Sequence, residues 1–369
     1  MLIFVLVMGL FLAACGGGED TGSADNGGSD DGGETTNDSN DSGSGDAADE
    51  PEFEKQTWRF ITEELDGQVQ YEYAEEFANR ISEKTGGAVT IQPYEYGGLG
   101  SEVDQVKQLQ DGAVELAVMS PGFTGGMVKE GQLFALHYLF PSDQRKTQDI
   151  LNTSEALNTD LKERYEEYSI SPLAYWTEGA MAWTSNVGIE EPKDFDGLKM
   201  RVQESPLMME SYKAYGAAPQ ALSWSELYTG LERGTVEGQE NPIFFIYDAS
   251  FNEVQDTMTI SNHNNYVAMT TANTEWFNSL PANLKTVVTE TITEMQDWVF
   301  NKQEELNSSF LEEIKNDTEY PTEIIELTEE QRNAFKEKAL PVRDFYRENV
   351  STVDGAILDK LIEEIKTAE

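Results

Sequence analysis

Apolar and polar positions follow a regular rhythm from residue 57 onward and almost none before it. An apolar strand over Thr57–Thr62 leads into Ala74, Phe77, Ala78 and Ile81. That i, i+3, i+4, i+7 stripe predicts a helix over Gln70–Glu83, stopped by Gly86-Gly87. A strand over Ala88–Tyr94, the turn Gly97-Gly98-Leu99-Gly100, and a helix over Glu102–Gln110 come next. Ser101 caps that helix, Val103, Val106 and Leu109 are its expected buried face, and a strand over Val114–Met119 follows. The order β-α-β-α-β implies parallel strands with helical crossovers.

The same rhythm returns between Leu198 and Pro242. Leu198, Met200 and Val202 face one way on a strand, and Lys199, Arg201 and Gln203 the other. Ser205-Pro206 opens a helix that ends near Gly216. A strand over Pro219–Trp224 follows, then a helix from Ser225 through Leu231. A last strand, Thr235–Glu240, stops at Asn241-Pro242. The unit ends read alike, LQDGAVELAV and LERGTVEGQE, a weak internal repeat that predicts two similar α/β domains facing each other.

Connecting segments complete the expectation. Lys146–Tyr168 reads as helix, Leu173–Trp176 as a strand leaving the first domain, and Trp183–Asn186 as the start of the second. Asp248–Thr257 reads as helix or turn, and Tyr266–Ala272 as a returning strand. Pro281–Asn316 lacks any breaker and predicts a helix on the order of 50 Å long, more than one small domain spans. Thr328 and Asp354 open two last helices. The repeated crossings place hinges near Glu178 and Asn262. The expected division is 57–178 plus about 263–306 for domain I, and 179–262 plus about 307–369 for domain II.

The N-terminal part is of another kind. Residues 1–14 are an apolar run ending in Leu12-Ala13-Ala14, followed by Cys15. The run is short for a membrane span and reads as a secretory signal. Leu-Ala-Ala-Cys resembles the lipobox of bacterial lipoproteins, which implies lipid on Cys15 and a mature chain beginning there. Residues 16–56, rich in Gly, Ser, Asp and Asn, carry too little apolar surface to fold and read as a disordered, charge-extended tether.

Composition narrows the function. A formal charge of −44 excludes a basic nucleic-acid-binding face. One cysteine excludes a disulfide framework, and two histidines, His137 and His263, are too few for a histidine-rich metal site. His263, in SNHNN, reads as a loop or hinge residue. No G-x-S-x-G, H-E-x-x-H, S-x-x-K or phosphate-loop motif occurs, so the expectation is a binding protein, with no enzymatic activity, no cofactor and no metal. Arg201 is the residue with chemistry to offer, because a strand-held guanidinium meets both oxygens of a carboxylate.

YAEEFANRISEKTGG, GGLGSEVDQVKQLQDGAVELAV, LKMR, the aromatic before SELY, and VEGQENP, in this order from Trp58 onward, resemble the substrate-binding proteins of tripartite ATP-independent periplasmic (TRAP) transporters, the DctP family. The resemblance implies a two-domain, periplasmic-binding-protein-like (type II) α/β fold with a hinge and a long helix spanning both domains. It implies capture of a small organic carboxylate in the interdomain cleft and delivery to integral membrane subunits. The carboxylate-binding arginine of the family falls on Arg201, the positioning asparagine on Asn241, and the lining aromatic on Trp224. Many members also carry an arginine where this chain has Met181, in Glu178-Gly179-Ala180-Met181, and grip acidic ligands with two cations. That departure leaves the ligand class open. Met181, Trp183 and Trp176 would make the pocket more apolar, and Glu64, Glu63 or Glu102 are candidates for an amine, hydroxyl or water. An extracellular enzyme, or a sensory or adhesion lipoprotein acting on carboxylated ligands, is the alternative. A lipid-anchored, extracytoplasmic protein of a saline habitat accommodates the charge, since salt screens its repulsion of an anion.

Overall fold

The computed structural model describes residues 53–353 and 355–368. Cys15, residues 16–52 of the acidic tether and Asp354 lie outside them, and Gln56, expected as the tether's last residue, opens the first strand. Strands β1 (Gln56–Ile61), β2 (Val89–Tyr94) and β3 (Leu116–Met119) form the first parallel unit, with β1 paired to both neighbours. The helix Val69–Lys84 buries Val69, Tyr73, Ala74, Phe77 and Ile81; of the expected face Ala78 is only half-buried, and Val69 and Tyr73 are added. On the helix Glu102–Gln110, Ser101 and Asp104 form a reciprocal capping box, and Val106 and Leu109 are buried. Val103 is not: it is 62% exposed. The buried stripe runs instead through Gln105, whose Nε2 donates to the Thr62 carbonyl at 3.0 Å.

Strand β4 (Ile170–Ser185) replaces the two separate strands expected there. It runs continuously through both halves of the eight-stranded sheet, with irregularities between Pro172 and Ala174 and between Thr177 and Gly179. Gly179 has φ +122°, and a Cβ there would meet Asn307 Nδ2 at 2.5 Å. Only glycine fits this backbone and this close approach. Strands β5 (Arg201–Val202) and β6 (Gln220–Ala221) form a short parallel pair, and Met200 bridges to Gly238 in β7 (Gly238–Pro242), again parallel. The second unit therefore repeats the first, its opening strand lying between the other two. β7 and β8 (Thr257–Ile260) flank the second half of β4, Trp183 pairing with both Glu240 and Thr259. β9 (Asn265–Asn273) runs antiparallel to β3 and to the first half of β4, and β10 (Glu323–Glu326) pairs with β8.

Several local expectations shift. Ser223, not Ser225, precedes the helix Trp224–Glu232. Lys146–Tyr168 resolves into Gln144–Thr153, Ala156–Leu161 and Lys162–Glu166, because Ser154 takes extended backbone between the first two. The long helix, Ala282–Asn316, lays Leu284, Val288, Ile292, Met295 and Val299 on the first lobe's core, while Ile314 joins a cluster of the second. The C-terminal helix Ala356–Ala368, expected with domain II, packs Ile357, Leu358, Leu361 and Ile365 against Ile150, Leu157 and Leu161 of the first lobe. Among the described residues no helix is long and apolar enough to cross a membrane.

Candidate functional site

Between the lobes lies a small cavity of about 40 Å³, lined by Ser120 after β3, Met181 on β4, Gln203 after β5, Glu240 on β7 and Tyr266 on β9. Strand ends from both parallel units converge on it, as expected for an open α/β sheet.

Arg201 opens β5 and is only 3% exposed. Its Nε donates to the Leu222 carbonyl at 3.0 Å, which anchors the guanidinium to the neighbouring β6 segment. No carboxylate pairs with its terminal nitrogens among the described residues. Burial pushes its pKa down to about 10, with Tyr266, Glu240 and Glu102 pulling the other way. The group remains cationic at neutral pH, so it is a buried charge without a bonded counter-ion, a costly arrangement unless something else completes it.

The opposite imbalance stands on the first lobe. Glu63 and Glu64 follow β1, and Glu178 lies on β4; all three are buried. Gln70 ties them together: its backbone N donates to Glu64 Oε2 at 2.7 Å, its Nε2 to Glu178 Oε1 at 2.8 Å, and its Oε1 accepts from Glu63 N at 2.9 Å. Ser120 N donates to Glu63 Oε2 at 2.9 Å. One oxygen of each acid, Glu63 Oε1, Glu64 Oε1 and Glu178 Oε2, is buried without a partner. Desolvation raises all three pKa values, Glu63 and Glu178 well above the usual carboxylate range and Glu64 to about 7. Glu178 is raised further by the neighbouring charge of Glu64.

Of the residues singled out from sequence, Met181 lines the cavity. Asn241 is buried on β7 opposite Ala182, its Nδ2 donating to Gln239 Oε1. Glu64 belongs to the buried acid group. Trp224 is not at a strand end. It is the first residue of its helix, half-buried, with its ring edge-on to Phe245 and Phe251 at 5.3 and 5.4 Å. Trp183 lies outside the lining. It shares a face with Met181, but two residues farther along β4 that face is covered by Phe195, Tyr212 and Phe335. Its ring has no exposure and its Nε1 donates to Tyr212 Oη at 2.9 Å. Trp176 is likewise core, its Nε1 bonded to Thr270. Sequence reading missed Glu178, Tyr266 and Ser120. The signal for Glu178 was a lone acid inside the apolar run LAYWTEGAMAW.

The sequence profile of the bacterial extracellular solute-binding proteins, family 7, matches residues 60–349. The ectoine/5-hydroxyectoine-binding periplasmic protein UehA of Ruegeria pomeroyi is 34% identical over 305 residues, 83% of this chain and 89% of that one. The C4-dicarboxylate-binding periplasmic protein DctP of Rhodobacter capsulatus is 31% identical over 75% of this chain and 82% of its own length. The high-resolution structure of the periplasmic ectoine-binding protein from the TeaABC TRAP transporter of Halomonas elongata superposes with a TM-score of 0.81 at 32% identity. It covers 85% of this chain and 100% of that one. With the profile spanning most of the chain, and a shared two-lobed fold around the cleft, this protein belongs to the family 7 extracellular solute-binding proteins, the solute-binding component of TRAP transporters.

Proposed function

We propose that the solute is a compact zwitterion of the ectoine type, its carboxylate on Arg201 and its delocalised cation toward Glu63 and Glu64. The observation that carries this reading is the paired imbalance: a buried guanidinium without an acid on one lobe, and buried acids without a cation on the other. A ligand carrying both charges completes both halves when the lobes meet around it. A dicarboxylate would satisfy Arg201 but set its second anion among Glu63, Glu64 and Glu102. The names of the ectoine-binding relatives agree with this reading. So does the charge of −44, which repels a dianion and leaves a net-neutral zwitterion nearly unaffected. Asn241 and Met181 orient the solute, and Trp224 supports the wall through Phe245. The chain captures its solute without converting it and hands it to the integral membrane subunits. The hinges lie at Glu178-Gly179 and Asn262, where β4 and the β8–β9 link cross between lobes.

Isothermal titration calorimetry with ectoine, 5-hydroxyectoine and succinate tests the reading. Tight one-to-one binding of an ectoine with at least 100-fold weaker succinate binding is expected; the reverse order would reject the zwitterion. The lipid anchor on Cys15 rests on the lipobox alone. Cys15→Ser should release the protein into the medium, and unchanged membrane retention would remove the anchor from the account.

A further inference from the structure

We infer a divalent-metal site where His137, Glu240 and His263 meet behind the ligand cavity. Three distant segments bring these side chains together: the loop before Tyr138, β7, and the link between β8 and β9. One ligand atom from each lies within 4.8 Å of the other two, and all three residues are buried. His263 Nε2 stands 2.5 Å and His137 Nε2 3.9 Å from Glu240 Oε2. A zinc-like ion with bonds of about 2.0–2.2 Å holds its ligand atoms roughly 3.3–3.5 Å apart, between those two separations. A small swing of the carboxylate reconciles them.

The hydrogen bonds leave room for a cation. His137 Nε2 and Glu240 Oε1 are both buried and have no partner. The other ring nitrogens are held from outside, His137 Nδ1 by Tyr215 Oη at 2.8 Å and His263 Nδ1 by Ser261 Oγ at 2.7 Å. Such outer contacts orient imidazoles that ligate metals. Ser261 Oγ also donates to the Met181 carbonyl at 3.2 Å. Its single proton being used there, it accepts from His263 Nδ1–H. His263 Nε2, 2.5 Å from Glu240 Oε2, is then either protonated, an imidazolium donating to the carboxylate, or bound to a cation in that proton's place. A metal ion on Nε2 releases that proton, and the carboxylate swings out to ligate beside it, while the other ring proton of His263 stays on Nδ1 toward Ser261. Two imidazoles and one carboxylate suit zinc, cobalt or nickel rather than calcium or magnesium. Tyr212 Oη, hydrogen-bonded to Glu240 Oε2 at 2.5 Å, closes one side, and the cavity that Glu240 lines gives the route of entry. The site is separate from the oxygen-only cluster of exposed Asp66 and Glu75 with half-buried Glu72.

The test is a zinc titration of the chelator-stripped full chain by calorimetry, in excess magnesium to occupy surface acids, with a parallel cobalt titration read by visible absorption. One saturable equivalent of zinc and a nitrogen-ligated cobalt spectrum are expected. His137→Gln and His263→Gln, each checked for folding by circular dichroism, should each weaken zinc at least 100-fold, whereas Glu72→Gln should not. Absence of a saturable equivalent in the parent overturns the site, and that result needs no variant. Equal zinc affinity in a folded His137→Gln variant overturns it too.

Discussion

Arg201 and the acid group face opposite penalties, and each yields a prediction. Arg201→Ala removes a buried charge that no protein carboxylate balances, so the solute-free fold should keep its stability to within about 1 kcal/mol. Solute binding should weaken by about 2–5 kcal/mol, because the ligand carboxylate would be desolvated without its partner. Arg201→Lys should restore only part, since an ammonium cannot form two parallel bonds. Calorimetry and chemical denaturation on the same variants check both halves. Glu64 sets the pH dependence. Its folded pKa of about 7 lies above its unfolded value, so its burial favours folding at low pH, and that contribution is lost as pH rises through 7. The melting temperature of the solute-free protein should fall between pH 5 and 8, and Glu64→Gln should flatten the slope. Solute affinity should move the other way, rising with pH as Glu64 gains the charge that attracts the ligand cation. A pH-independent affinity in the parent would remove Glu64 from the site.

At the scale of elements, β4 is the part that makes two lobes one molecule. At its irregularity Asn307 of the long helix donates to the Glu178 carbonyl at 2.8 Å and accepts from Phe244 N at 3.2 Å, fastening the crossing to the helix that spans both lobes. Gly179→Ala would put a side chain at φ +122° and against Asn307, and should destabilise by about 1–3 kcal/mol in urea unfolding. A loss under about 0.5 kcal/mol would show the crossing to be pliable. The repeated β-α-β-α-β pattern was legible because each helix carries its own apolar stripe and each turn its own glycine, which are local signals. Val103 and Trp183 were misread for the complementary reason. What covers a face is decided by distant segments, here Gln105 reaching for Thr62 and Phe335 closing over Trp183, and neither is visible in a window of neighbours. Arg201 was legible as the guanidinium on the polar side of an alternating strand, LKMRVQ. Glu178 and the meeting of His137, Glu240 and His263 were not, because only tertiary contacts bring those residues together. The position of the C-terminal helix was missed likewise, its amphipathic face fitting either lobe.

At the scale of the whole molecule, the excess of acids sets the response to salt. About a quarter of the −44 lies in residues 16–56, where thirteen acidic residues face only Lys55, and the rest falls on the folded part. Raising ionic strength from about 0.1 to 1 M shortens the screening length from about 10 to 3 Å and relieves self-repulsion. The melting temperature should therefore rise with sodium chloride, while affinity for a net-neutral zwitterion should change by less than about threefold. An affinity climbing tenfold or more with salt would mark a net-anionic solute. The proposed zwitterion draws its two charges from opposite lobes, so the most direct measurement is a crystal structure of the protein with ectoine. The account predicts the carboxylate within hydrogen-bonding distance of both terminal nitrogens of Arg201, with the ring nitrogens turned to Glu63 and Glu64. A bound solute whose carboxylate lies away from Arg201, or whose cationic ring faces no acid, would contradict it.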